Sequence, residues 1–109
     1  MNKIPSIDLQ DFEKRNSMKK VFVIKVYTEN CPPCKLVNLT FSHVVEIKKD
    51  QLDFFQFDIT EEVDLFAKLA VKELPCFILF TCGVEQSRFY GCSSKRNIID
   101  WIERHVSPL

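Results

Sequence analysis

The residue pattern predicts an α/β domain: a sheet with a parallel core, covered by helices. Three observations carry that reading. Short apolar runs of strand length alternate with segments whose apolar residues recur at helical spacing, in the order β-α-β-α-β-α. The run Val21 to Tyr27 is apolar at six of its seven positions, as expected of a strand covered on both faces. Glycine is scarce, with two among 109 residues, and no repeat, low-complexity stretch or linker divides the chain, so 1–109 reads as a single domain.

Taken in order, Lys3 to Ile7 predicts a short edge strand. Asp8 is then a fair N-cap for a helix from Leu9 to about Met18 that carries Leu9 and Phe12 on its apolar side. Val21 to Tyr27 is the first buried strand. From Pro33 to Lys49 the positions Val37, Phe41, Val44, Val45 and the stem of Lys48 predict a long helix against the sheet, with Leu36, Leu39 and Ile47 widening its apolar stripe. Lys48 and Lys49 suit the negative end of its dipole. Phe54 to Ile59 reads as the next strand. Thr60 is the expected cap of a helix through Leu65, Phe66, Leu69 and Ala70. Glu73 to Phe80 predicts a second buried strand entered through Pro75, and Gly83 a turn into an antiparallel edge strand, Gln86 to Tyr90, closed by Gly91. Ser93 or Ser94 caps a last helix through Ile98, Ile99, Trp101, Ile102 and Val106, which stops before Pro108.

Composition narrows function by exclusion. Lys plus Arg equals Asp plus Glu at fifteen each, so no strong field points to nucleic acid or an anionic membrane. No apolar run is long enough to span a bilayer, and Met1 to Lys20 lacks the pattern of a secretion leader, so a soluble, cytoplasmic protein is expected. Five cysteines cannot all pair with one another. In a reducing compartment a closely spaced pair is more naturally catalytic than structural. His43 and His105 are expected on the surface, and Trp101 and the ten phenylalanines in the core.

The chemistry points to Asn30-Cys31-Pro32-Pro33-Cys34-Lys35. Two residues between cysteines let one helical turn bring both sulfurs within disulfide distance, with the first nearer solvent. A cysteine where a strand feeds a helix meets unpaired N–H groups and the positive end of a dipole, both of which favour the thiolate. Proline suits the first helical turn, because its missing N–H would be unpaired there, and Pro32 drives Cys31 out of the helical region. Half of a zinc site is the alternative reading of the spacing. The remaining cysteines, Cys76, Cys82 and Cys92, are scattered, and the two histidines stand alone.

Over nearly its whole length the chain resembles the thioredoxin family. Cys31-Pro32-Pro33-Cys34-Lys35 follows a buried strand, Leu74-Pro75 precedes the next central strand, Phe80 and Gly83 lie in the following hairpin, and Gly91 stands ahead of Ser94-Lys95. The resemblance implies the thioredoxin fold, a central mixed four- to five-stranded sheet flanked by about four helices. It implies Cys31 as nucleophile, Cys34 as the buried resolving thiol, and a cis peptide bond before Pro75. Asn30, Pro32, Pro33, Leu74, Pro75, Cys76 and Gly91 are then the residues that meet a substrate. Partners would be disulfide-containing proteins and a thioredoxin reductase-like or other electron donor, acting on a monomer with no cofactor and no metal.

Four positions depart from the family pattern. Asn30 stands where a tryptophan is usual, Pro32 replaces glycine, Cys76 replaces threonine, and Lys25 occupies the place of a buried aspartate. Lys25 is accordingly the third candidate catalytic residue, since its charge favours thiolates. Cys76 next to Pro75 and Cys92 next to Gly91 could bring further sulfurs to the same groove. The competing readings are a glutathione-dependent glutaredoxin-like enzyme, a non-catalytic binding module of the same fold, and a metal or iron–sulfur carrier using Cys31, Cys34 and Cys76.

Overall fold

Aromatic and aliphatic runs pair into a four-stranded mixed sheet in the computed structural model, which describes residues 4–16 and 21–106. The strands are β1 (Phe22–Tyr27), β2 (Asp53–Asp58), β3 (Cys76–Thr81) and β4 (Val84–Tyr90), in the spatial order β2-β1-β3-β4. The helices are α1 (Leu9–Asn16), α2 (Pro32–Lys48), α3 (Val63–Leu69) and α4 (Lys95–Glu103). β1 and β2 are parallel, with Phe22 opposite Asp53 and Tyr27 opposite Asp58. β3 runs antiparallel to both β1 and β4. The expected parallel core is thus confined to one pair of strands. An unbroken apolar run reports that both faces of a strand are covered, and it carries no information about direction.

Side chains alternate across the sheet into two cores. Phe22, Ile24, Val26, Phe55, Phe57, Ile78 and Phe80 face Phe12 of α1 and Leu65 and Leu69 of α3. Val23, Phe54, Phe77 and Leu79 face Val37, Phe41, Val44 and Val45 of α2 and Ile98, Trp101 and Ile102 of α4. Stacked and edge-to-face rings tie each layer together, including Phe22 on Phe80 at 4.9 Å and Phe41 against Phe77 at 4.8 Å.

Several boundaries differ from the sequence reading. In place of an edge strand over 3–7 there is one parallel bridge, Ser6 to Gln56, because Pro5 has no N–H with which to continue a ladder; Lys3 lies outside the described residues. Asp8 does cap α1. It accepts from the Asp11 N–H at 2.8 Å while its own N–H donates to Asp11 at 3.3 Å. The expected extension to Met18 falls outside the described residues.

Thr60 does not cap α3. Both its N–H and its hydroxyl donate to Asp58 Oδ1, at 2.9 and 2.8 Å, and the helix starts three residues later behind Glu62. Leu36, Leu39 and Ile47 do not widen the packed stripe of α2. They are 75%, 65% and 53% exposed, because Cys34, Val37, Phe41, Val44, Val45 and Lys48 already fill the face that meets the sheet. The β3–β4 turn uses Cys82 as well as Gly83, both at positive φ, as a two-residue hairpin turn requires, so β4 starts at Val84. Ser94 caps α4 by accepting from the Asn97 N–H at 3.1 Å, and the helix ends at Glu103, short of Val106.

Candidate functional site

β1 ends at Tyr27, and the chain turns through the exposed Glu29 and Asn30 into α2. Cys31 keeps extended backbone (φ −134°, ψ 98°) and is the N-cap. Its Sγ accepts from the Cys34 N–H at 3.2 Å, the service a serine or aspartate oxygen renders at other helix starts. Pro32 and Pro33 follow, exposed, in the first turn, where they leave no N–H unmet. Cys31 and Cys34 form a disulfide with their Cα atoms 5.2 Å apart, and they are 8% and 2% exposed. Cys31 is therefore the outer sulfur, held among the unpaired N–H groups of a 17-residue helix, where a released thiolate is stabilised.

The second wall comes from β3 and β4. The Leu74–Pro75 peptide bond is cis, with Pro75 buried and Leu74 half-buried. Gly91, at φ +85°, donates its N–H to the Pro75 carbonyl at 2.8 Å. A left-handed turn at this place suits glycine because a Cβ would be strained there. The next residue, Cys92, is exposed, and its thiol donates to the Pro33 carbonyl at 3.2 Å. Pro75, Gly91, Cys92 and Pro33 thereby join the cis-proline strand to the first turn of α2.

Lys25 lies on the face of β1 that meets α2 and is only 4% exposed. Its ammonium donates to Asn38 Oδ1 and lies over the rings of Tyr27, at 5.2 Å, and Phe41, at 5.9 Å. Burial pulls its pKa from 10.5 down to about 8. Asn38 is four residues beyond Cys34 on α2, so the two share a helix face, and the ammonium is tied down one turn from the inner sulfur. Asn38 went unnoticed in the sequence; that i, i+4 spacing was the signal that could have found it.

Cys76 takes the other side of the sheet. It is fully buried among Val26, Ile78 and Tyr90, and burial pushes its thiol up to about 11. Its backbone borders Pro75, but its sulfur belongs to the core beneath α1 and α3. Cys82 sits at the hairpin tip, the far end of β3 from Pro75. His43 is exposed, and the His105 ring lies against Trp101, its Nδ1 3.0 Å from the Trp101 carbonyl. Among the described residues no group of three or more His, Cys, Asp or Glu is placed to hold a metal ion, and no helix is long and apolar enough to cross a membrane.

The chain is similar to known proteins. The family model for thioredoxin matches residues 3–104. A thioredoxin of Mycoplasma genitalium is 29% identical over 92 residues, covering 84% of this chain and 89% of that protein. Bloodstream-specific protein 2 of Trypanosoma brucei brucei is 23% identical over 99 residues, and there the chain spans only 20% of the longer protein. The thioredoxin structure from Malassezia sympodialis superposes with a TM-score of 0.88 at 20% identity, covering 98% of this chain and 94% of that one. With the family match running unbroken from the segment before α1 to the residue after α4, this chain belongs to the thioredoxin family.

Proposed function

We propose that the protein is a thiol–disulfide oxidoreductase that exchanges disulfides with protein substrates through Cys31 and Cys34. The observation that carries this reading is the position of Cys31: an N-cap sulfur that is the less buried of the pair, with its partner one turn inside and a cis-proline strand alongside. In the reduced protein the Cys31 thiolate attacks a substrate disulfide, forming a mixed disulfide and expelling one substrate thiolate. The Cys34 thiolate then attacks the Cys31 sulfur and expels the second, leaving the Cys31–Cys34 disulfide. A thiol donor, such as a thioredoxin reductase-like partner, must return the pair to the dithiol.

Asn30, Pro32, Pro33, Leu74, Pro75 and Gly91 form the contact surface of this proposal, with the backbone of Cys76 at its edge. Pro32 and Asn30 present a smaller, stiffer rim than glycine and tryptophan would, which favours extended substrate segments that need no aromatic contact. Lys25 acts through charge: an ammonium anchored by Asn38 favours a thiolate at Cys34 and so stabilises the dithiol.

The test is reduction of insulin by dithiothreitol. Wild type is expected to accelerate it well above the uncatalysed rate and Cys31→Ser to abolish the acceleration. Activity that survives in Cys31→Ser refutes the assigned nucleophile.

A further inference from the structure

A third sulfur stands at this site, and the exchange scheme above does not use it. The Pro33–Cys34 peptide group holds a cysteine at each end. Its N–H donates to Cys31 Sγ at 3.2 Å, and its carbonyl accepts from the Cys92 thiol at 3.2 Å. Standard peptide dimensions then place the two sulfurs no more than about 9 Å apart. A change of χ1 rotamer swings a cysteine sulfur by roughly 3 Å, so rotation at both residues covers most of that gap. The Cys92 loop needs little further travel, since the Gly91 N–H already anchors it to the Pro75 carbonyl at 2.8 Å.

The other free cysteines lack one of the two requirements, access and proximity. Cys76 is fully buried and belongs to the opposite core. Cys82 is exposed but lies past the far end of β3, roughly 23 Å along the strand from Pro75. Cys92 alone among them is both exposed and hydrogen-bonded to Pro33, one of the two residues between the paired cysteines.

We propose that Cys92 is a second resolving thiol, which attacks the Cys31 sulfur of a mixed disulfide and forms a Cys31–Cys92 disulfide. The inference rests on Cys31 being the nucleophile. In the step, the Cys92 thiolate bonds to Cys31 Sγ, the bond between Cys31 and the substrate breaks, and the substrate leaves as a thiolate that takes up the proton Cys92 released. No oxidant beyond the substrate disulfide is needed. The arrangement gives the enzyme a route off a trapped substrate when Cys34 is slow to reach it, and Cys34 can later exchange with the Cys31–Cys92 bond to restore the inner disulfide.

The experiment uses the full chain carrying Cys82→Ser, so that the remote exposed thiol is silent. Reduced Cys34→Ser protein is mixed with one equivalent of 5,5′-dithiobis(2-nitrobenzoate), and thionitrobenzoate release is followed by absorbance, with disulfides mapped by mass spectrometry. One equivalent released on forming the Cys31 adduct, then a second accompanied by a Cys31–Cys92 cross-link, is the expected result. Adding Cys92→Ser is expected to abolish the second release and leave the Cys31 adduct intact. A Cys31 adduct that persists alike with and without Cys92 overturns the proposal while leaving Cys31 as nucleophile. Failure of Cys31 to form an adduct in either protein overturns the parent assignment and this one with it.

Discussion

Replacing Lys25 by methionine tests the electrostatics of the site through stability. The ammonium is buried, 4% exposed, with no carboxylate against it among the described contacts, and its pKa falls from 10.5 to about 8. Below pH 8 the folded protein carries a charge it holds less well than the unfolded chain does. A displacement of that size corresponds to at most about 3 kcal/mol, reduced to about 2 by residual solvent screening near the groove.

Because the folded pKa is the lower one, the unfolded chain binds more protons between the two values, and stability rises with pH across that window. The penalty is therefore complete below pH 8 and relieved as pH climbs toward 10.5. Methionine keeps the stem packed against Phe41 and removes the charge, and the exposed Asn38 amide turns to water. Lys25→Met is thus expected to stabilise the protein by about 2 kcal/mol at pH 6.5, with the advantage shrinking to under about half by pH 9.5. Urea unfolding of the oxidised proteins at four pH values measures this. Cys31 and Cys34 do not titrate in that state, and Cys76 and Tyr27 contribute alike to both proteins and cancel in the difference. An advantage that does not vary with pH, or a variant less stable throughout, refutes the reasoning.

The same variant bears on redox poise. If the ammonium supports the dithiol, Lys25→Met lowers the reduction potential measured against a glutathione buffer at pH 7, and an unchanged or raised potential rejects that role. Phe41 is fully buried, packs on Phe77 at 4.8 Å and Phe54 at 5.7 Å, and roofs Lys25. Phe41→Ala is expected to cost about 3–5 kcal/mol in urea unfolding, and a loss under about 1 kcal/mol would mean that α2 does not rest on the sheet through this ring.

Much of the site could be read in the sequence because its parts are local. Cys31, Pro32, Pro33 and Cys34 are contiguous, so the N-cap sulfur, the first-turn prolines and the closeness of the two sulfurs follow from helix geometry alone. The apolar runs of β1 and β3 and the serine cap of α4 were legible for the same reason: each depends on neighbours a few positions away. Errors arose where one local signal had two meanings. Thr60 is a good cap in isolation, yet Asp58 claims both of its donors. Leu36, Leu39 and Ile47 look like core on a helix whose packed face was already full.

What the sequence determined by itself was the alternating α/β order, the closely spaced cysteine pair and its place at a helix start, since chain connectivity and backbone sterics dictate them. Tertiary structure alone decided the direction of β3, the side of the sheet that Cys76 faces, the anchoring of Lys25 by Asn38, and the arrival of Cys92 at Pro33 from 59 positions away. Those features depend on which surfaces the folded chain brings together. Residue spacing along a strand or helix encodes a face but not the partner that will cover it.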